Sequence, residues 1–423
     1  MTLGVDATGT MRPRIEPWLR RVLAISTLST LSMNALRPMI AYRALALGAG
    51  PLEVGMIAAS FSLLSVLVAL PIGRLVDRFG AGRFEVIAMI LLAVASLIAV
   101  VVESLLALAM VATVLGLGQT VNLVAQQTTV ANRGGRAGRD ERYGLYTQAA
   151  SIGQLIGPAL AGALAGGALF HAIGVVPEWS NQQAPVFVMA AFCTGLAAVI
   201  AIPLARHREP ERDGPVTADP GSAFGPTARR VMGRPGMLRA MLLSIVVVTS
   251  IDVLVAYLPV YGEENGISVG LIGLLLSVRA AAGLVSRSLM GRLLRALGRQ
   301  RLLAGGLTLA GAGMLLLAVA PSPWLLVIAM TMFGMGAGVG QPITIAWVAD
   351  ESPRSERATA IGIRLMGNRV ALLTVPLLMG LIAGSAGIAV TFVAVAAVLS
   401  GGALTAASAP LGAPPTAPPP IPR

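Results

Sequence analysis

Apolar residues run along this chain in long blocks, separated by short polar stretches. Each block is about 20 residues or longer, enough to cross the ~30 Å hydrocarbon core of a bilayer as a helix. Polar positions inside the blocks are few, so the helices are apolar nearly all round. The pattern predicts helices at roughly 18–44, 52–73, 84–103, 105–131, 142–170, 184–205, 238–261, 267–290, 301–320, 323–349, 357–383 and 387–408. That makes twelve, and the fold class is an all-α integral membrane protein.

Composition supports this. Only 12% of residues are charged, against about a quarter in soluble domains. The net charge of +12 would suit nucleic acid or acidic lipid if taken alone, but its placement argues for topology. All 31 basic residues are Arg. Arg37, Arg43, Arg279, Arg287, Arg364 and Arg369 lie inside apolar segments, and the rest fall in alternate loops or the termini. Basic loops mark the cytoplasmic face, so both termini are expected in the cytoplasm of a plasma-membrane protein. Trp179, Trp324 and Tyr42 suit an outer aromatic belt, and Trp18 an inner one.

Several chemistries are not expected. Cys193 is the single cysteine, so no disulfide or thiol metal site can form within the chain, and it reads as a small buried side chain. His171 and His207 lie in loops without companion ligands. The run Gly334, Gly336, Gly338, Gly340 lacks the preceding strand and following Lys of a phosphate loop. No cofactor, metal or nucleotide site is expected, nor enzyme chemistry. The stretch after Arg20 and Arg21 runs on too long for a cleavable leader.

The chain divides in the middle. Residues 206–237 are polar and rich in Pro and Gly, which reads as a cytoplasmic linker between halves at 1–205 and 238–408. The tail, 409–423, is Pro-rich and expected to be disordered. A shift of 218 residues maps one half on the other without a gap: Gly55 to Gly273, Gly73 to Gly291, Gly80 to Gly298, Gly116 to Gly334, Pro158 to Pro376 and Gly162 to Gly380. This is a duplicated six-helix unit, as expected of secondary transporters.

Two stretches carry a family resemblance. Gly73-x-Leu75-x-Asp77-Arg78-x-Gly80-x-x-Arg83 resembles the loop signature between helices 2 and 3 of the major facilitator superfamily. The two basic residues that usually follow the second Gly are here Gly82 and Arg83. In the second copy Arg295 replaces the acid. On helix 5, Gly153-x-x-x-Gly157-Pro158-x-x-Ala161-Gly162 is similar to that family's antiporter motif, with Ala161 in place of a glycine. The resemblance spans the whole chain and is strongest to the 12-helix proton-coupled exporters. It implies alternating access, a gating role for the first loop, and export by proton exchange. Small residues four apart also serve ordinary helix packing. The Arg that the exporter branch usually places in helix 4 is missing from Val111–Thr120.

Polar residues inside the helices carry the candidate chemistry, since charge there is costly and usually faces a cavity. Thr27, Thr30, Asn34 and Arg37 share one face of helix 1 by their spacing. Gln119, Asn122, Gln126 and Thr129 repeat the stripe on helix 4, and Gln341 and Thr344 lie on helix 10. Such stripes either line a wet path or glue helices together. Asp252, midway along helix 7, is the only acid placed deep in the bilayer. It is either a proton carrier or half of a fixed ion pair. Arg279 and Arg369 lie near the middles of helices 8 and 11. Arg287, Arg364 and Arg43 are near enough to helix ends to snorkel. Glu85 and Glu103 read as helix-end residues. Deep Arg outnumbers deep acid, which favours a substrate with a carboxylate or phosphate.

The expectation is therefore a functional monomer that exports a small organic compound in exchange for protons. Uptake of an organic anion is the alternative, and a non-transporting sensor on the same fold a more distant one. Asp77 is expected to latch onto the N-terminus of helix 11, near Arg357 to Gly362, a contact that Arg295 cannot repeat.

Overall fold

A computed structural model describes residues 2–5, 11–14, 16–133, 139–167, 181–206, 229–234, 236–319, 322–353 and 356–408. The side chains of residues 2–5, 11–14, Ala69, Leu70, Arg74, Asp77, Arg139, Asp140, Arg357 and Ala358 are outside that description. His171, Trp179, His207, most of the linker and the Pro-rich tail also lie outside it.

The first half contains α1 (Pro17–Ala46), α2 (Pro51–Phe79), α3 (Ala81–Val101), α4 (Leu105–Asn132), α5 (Arg139–Ala165) and α6 (Ala184–Arg206). The second begins with α7 (Met237–Glu264). A helical run, Val269–Val319, then breaks at Gly298, where φ is 76°, giving α8 (269–297) and α9 (299–319). It ends with α10 (Pro323–Asp350), α11 (Arg357–Ala386) and α12 (Ile388–Ala407). All twelve expected helices are present. One departure is a short antiparallel pairing of Thr2–Val5 with Met11–Arg14 ahead of α1.

Two boundaries change the reading of the signature stretch. Residues 73–83 are helical except at Gly80, and so are 291–301 except at Gly298. The expected loops are single-residue corners. Only those two glycines leave the helical region, at φ 93° and 76°, a conformation that costs Gly little. They are 218 residues apart.

Among the described residues, nine helical runs are long and apolar enough to cross a membrane, counting Val269–Val319 as one. The two described runs that fall short are α1 and α5, which carry much of the polar sequence. They pack against each other. Thr27 Oγ1 donates to Ala149 O at 3.1 Å. A Cβ on Gly153 would come within 2.6 Å of Thr27 O and Leu31 N, and one on Gly157 within 2.5 Å of Leu31 O. The outer surface is apolar: on α3, Ile87, Ile90, Val94, Leu97 and Val101 are exposed at helical spacing, while Glu85, Leu92, Ser96 and Ala99 face inward. A face of that kind suits lipid.

The internal repeat is physical. Gly116 of α4 abuts the backbone of Phe61 in α2, and Gly334 of α10 abuts the backbone of Arg279 in α8. Both members of each contact shift by 218. Between the halves, Gly55 of α2 abuts Pro376 O of α11, and Gly273 of α8 abuts Pro158 O of α5, again the same shift.

These contacts show where the halves meet. Tyr257 Oη donates to Pro376 O at 2.7 Å and reaches Pro51 O at 3.4 Å. Ala159 N donates to Ser277 Oγ at 2.9 Å. Gly162 packs on Val269 and Gly270, and Gly262 beside Tyr42 Oη. All lie on the side away from the Arg-rich loops. On the Arg-rich side, no hydrogen bond, ion pair or glycine contact joins the halves among the described residues. There Arg230 and Arg234, at the end of the linker, pair with Glu356 ahead of α11 at 3.1 and 2.7 Å. Arg299 pairs with Asp350 at 2.5 Å, within the second half.

Candidate functional site

The halves also meet through charge. Arg37 on α1 forms an ion pair with Asp252 on α7, Nη1 to Oδ1. The Asp252 side chain is only 7% exposed and Arg37 31%. The Arg37 guanidinium lies 5.2 Å from the centre of the Phe61 ring, within cation–π range. The pair borders a narrow cleft between α1, α2 and α7, walled by Ile40, Val54, Ile57, Phe61 and Val255. It is an apolar pocket with one cation and one anion at its edge.

Around the pair the charge is unbalanced. Arg369 on α11 is within electrostatic range of both Arg37 and Asp252. Arg279 on α8 is within range of Arg287. Arg287 Nε donates to Gly283 O at 3.1 Å. The Nε atoms of Arg279 and Arg364 are shielded and have no hydrogen-bond partner. Among the described residues, none of Arg279, Arg287, Arg364 and Arg369 has a carboxylate in salt-bridge range. An unpaired buried guanidinium is costly, so a bound anion would relieve a penalty as well as add an attraction.

Two arginines expected to snorkel do not. Arg364 is 4% exposed. Arg43 turns inward and donates Nε and Nη2 to Val102 O at 3.1 and 2.6 Å. Its reason is the carbonyl left over where α3 ends, which needs a donor. Tyr42 is likewise buried, at 4%, and Cys193 is only half-buried. Trp324 is 80% exposed, as a belt residue should be.

The polar stripes divide. On α1, Asn34 Nδ2 bonds its own helix at Thr30 O, 2.8 Å. On α4, Gln119 Oε1 is shielded without a partner. Asn122 and Gln126 face another way. Gln126 Nε2 donates to Asn122 Oδ1 at 2.8 Å and to Glu85 Oε1 on α3 at 3.0 Å. They form a buried cluster within the first half, separate from Arg37 and Asp252. Glu85 is 2% exposed, so it is not the helix-end residue its sequence position suggests. Gln341 is half-buried on α10, and Thr344 is spent on Gln341 O at 3.0 Å.

The signature stretch is clear only in part. Arg78 stacks over Phe79 at 5.2 Å, and Arg83 is exposed. A Cβ on Gly82 would fall 2.4 Å from Leu204 O on α6. That contact explains why a glycine stands where the family pattern has a basic residue. The Asp77 and Arg357 side chains, and with them the expected latch, lie outside the described residues. Sequence reasoning missed Tyr257, whose hydroxyl spans both halves, and the Ser244–Asn368 bridge between α7 and α11, with Nδ2 to Oγ at 3.1 Å. A phenol within the apolar stretch that follows Asp252 was the available signal for the first.

A sequence profile of the Major Facilitator Superfamily matches residues 22–268 and 240–423. The chain belongs to the Major Facilitator Superfamily. Superfamily membership makes it a multi-pass membrane transporter and not an enzyme. Solved structures agree in fold. A bacterial homolog of the human lysosomal transporter Spinster, in an inward-facing and occupied conformation, superposes with a TM-score of 0.72 at 16% identity, over 93% of this chain and 97% of that one. The nucleoside transporter NupG gives 0.72 at 14% identity, over 92% and 98%. A POT family transporter in complex with 5-aminolevulinic acid gives 0.71 at 12%, over 92% and 94%. No curated protein matches the sequence.

Proposed function

We propose that this superfamily member is a proton-coupled transporter of a small organic anion, working by alternating access. The Arg37–Asp252 pair between the halves carries the reading. An anion that takes Arg37 must displace Asp252. The displaced carboxylate, almost fully buried, is then best stabilised by a proton. Anion and proton therefore bind together and cross in the same direction. With an inward proton gradient, that direction is uptake. The guanidinium groups of Arg279, Arg364 and Arg369, which have no carboxylate in salt-bridge range among the described residues, add positive charge that suits an anionic solute, and two of the structural neighbours are named for small solutes, nucleosides and 5-aminolevulinic acid. We place the Arg-rich loops and both termini in the cytoplasm, so the present conformation opens inward.

A second reading is export of a small organic compound by proton exchange. The close seating of Gly153 and Gly157 on α1 and of Gly162 on α8 favours it, because these are the residues of the antiporter-like motif. Proteoliposome flux under an imposed pH gradient separates the two. Proton entry together with an organic anion supports uptake, and proton exit on substrate addition supports exchange. Asp252→Asn should abolish coupling in either case, and coupled flux persisting in that variant would overturn the role of the pair.

A further inference from the structure

We propose that Glu85 is a second proton-binding site, built into the α3–α4 contact of the first half and apart from the Arg37–Asp252 pair. Its carboxyl sits in the second turn of α3, at the Arg-rich end of the molecule, and is 2% exposed. Oε1 accepts from Gln126 Nε2 at 3.0 Å. Oε2 has no hydrogen-bond partner.

The neighbours are nearly all neutral. On α4 they are the Gln126 and Asn122 amides, held in order by their own 2.8 Å bond. On α5, Tyr146 is within electrostatic range, and Tyr143 beside it donates to Gln127 O at 3.0 Å. Ionisable residues toward the same end are Arg78 on α2, Arg83 on α3, Arg133 closing α4, Arg142 on α5 and Arg206 closing α6. Arg78 and Arg83 are exposed, and Arg133 Nη2 donates to Leu204 O at 2.9 Å. None makes a hydrogen bond or ion pair with Glu85. A carboxylate here would be a buried charge with one neutral donor, an expensive state. A carboxylic acid keeps the Gln126 bond and carries no charge.

Packing does not demand an acid at this place. The residue 218 positions on is Leu303, fully buried in the same surroundings of the second half. Gln126 corresponds to Thr344, and Gln126 is the donor that would hold Glu85 in either protonation state. The first half thus replaces an apolar contact by a carboxyl–amide pair, where the second half shows that a leucine suffices. The step is a simple dissociation: the carboxyl O–H bond breaks, the electron pair stays on Oε2, and the proton passes to water at the Arg-rich end. Release requires water to reach Oε2, so it is tied to loosening of the α3–α4 contact beside the Gly80 corner.

The test uses the full-length protein in lipid and infrared difference spectra across a pH titration. The protonated-carboxyl stretch present near neutral pH should vanish in Glu85→Gln and persist in Asp252→Asn. An identical stretch in the native protein and Glu85→Gln would overturn the proposal. Because this readout needs no substrate, it stands or falls apart from the transport reading. A second variant, Glu85→Leu, copies the packing of the other half. If the carboxyl is a proton site, this variant folds and the pH profile of its flux is flattened. A profile matching the native one would reduce Glu85 to a packing residue and also overturn the proposal.

Discussion

At the scale of single residues, the ion pair of Arg37 and Asp252 sets the strongest expectations. Removing one partner of a buried pair leaves an uncompensated charge, at about 3–5 kcal/mol. Arg37→Gln should therefore lower the melting temperature of the purified protein markedly, and the double change with Asp252→Asn should recover most of that loss while remaining uncoupled. Arg279→Gln and Arg369→Gln test the positive cavity. A hydrogen bond to a charged group contributes about 1.5–3 kcal/mol, so each change should weaken anion binding roughly 10- to 100-fold, measured by titration of the solute. Unchanged affinity would place these guanidinium groups outside the solute path. Tyr257→Phe removes a hydroxyl whose 2.7 Å bond to Pro376 O lies within the second half and whose reach to the first half is the longer 3.4 Å approach to Pro51 O. The change should lower thermal stability by about 1 kcal/mol while cysteine-labelling accessibility on the sealed side stays nearly unchanged. These residues were unevenly legible. Asp252 stood out because an acid at mid-bilayer is rare. Glu85 did not, because an acid one turn into a helix usually reaches water, and only the fold shows that α4 covers it.

At the scale of elements, helix count and order were readable because apolar runs of bilayer length have few alternatives. Facing was not, since a helix apolar all round carries no strong directional signal. That is why Asn122 and Gln126 could be aligned with Gln119 on α4 yet turn toward α3. The signature stretch shows a related limit: charge and glycine content suggested a loop, but Leu75 and the arginines are good helix formers, and the chain turns at Gly80 alone. The glycine contacts make a specific prediction. A Cβ at Gly55 would lie 2.3 Å from Tyr257 Oη and 2.6 Å from Pro376 O, and one at Gly273 2.3 Å from Pro158 O. Overpacking of this kind costs about 1–3 kcal/mol. Gly55→Ala and Gly273→Ala should each reduce thermal stability and slow flux to a similar degree, whereas Gly144→Ala, with open space around it, should do neither.

At the scale of the whole molecule, the duplication seen as a shift of 218 residues proves to govern packing, since both partners of several contacts obey it. The asymmetries then mark specialisation: Asp252 against Asn34, Arg279 against Phe61, Glu85 against Leu303. The proposed latch at Asp77 is one more, with Arg295 as its counterpart. Asp77→Asn should shift spin-label distances across the Arg-rich side more than Arg295→Gln does, and equal shifts would remove the asymmetry. The paired contacts of Gly55 with Pro376 and of Gly273 with Pro158 have a mechanical consequence. Both points of touch obey the same shift and lie away from the Arg-rich side. Under the alternating access proposed above, opening that face requires the two points to part together. A glycine at each leaves only a close backbone contact to break, so the seal is made and released as one matched pair.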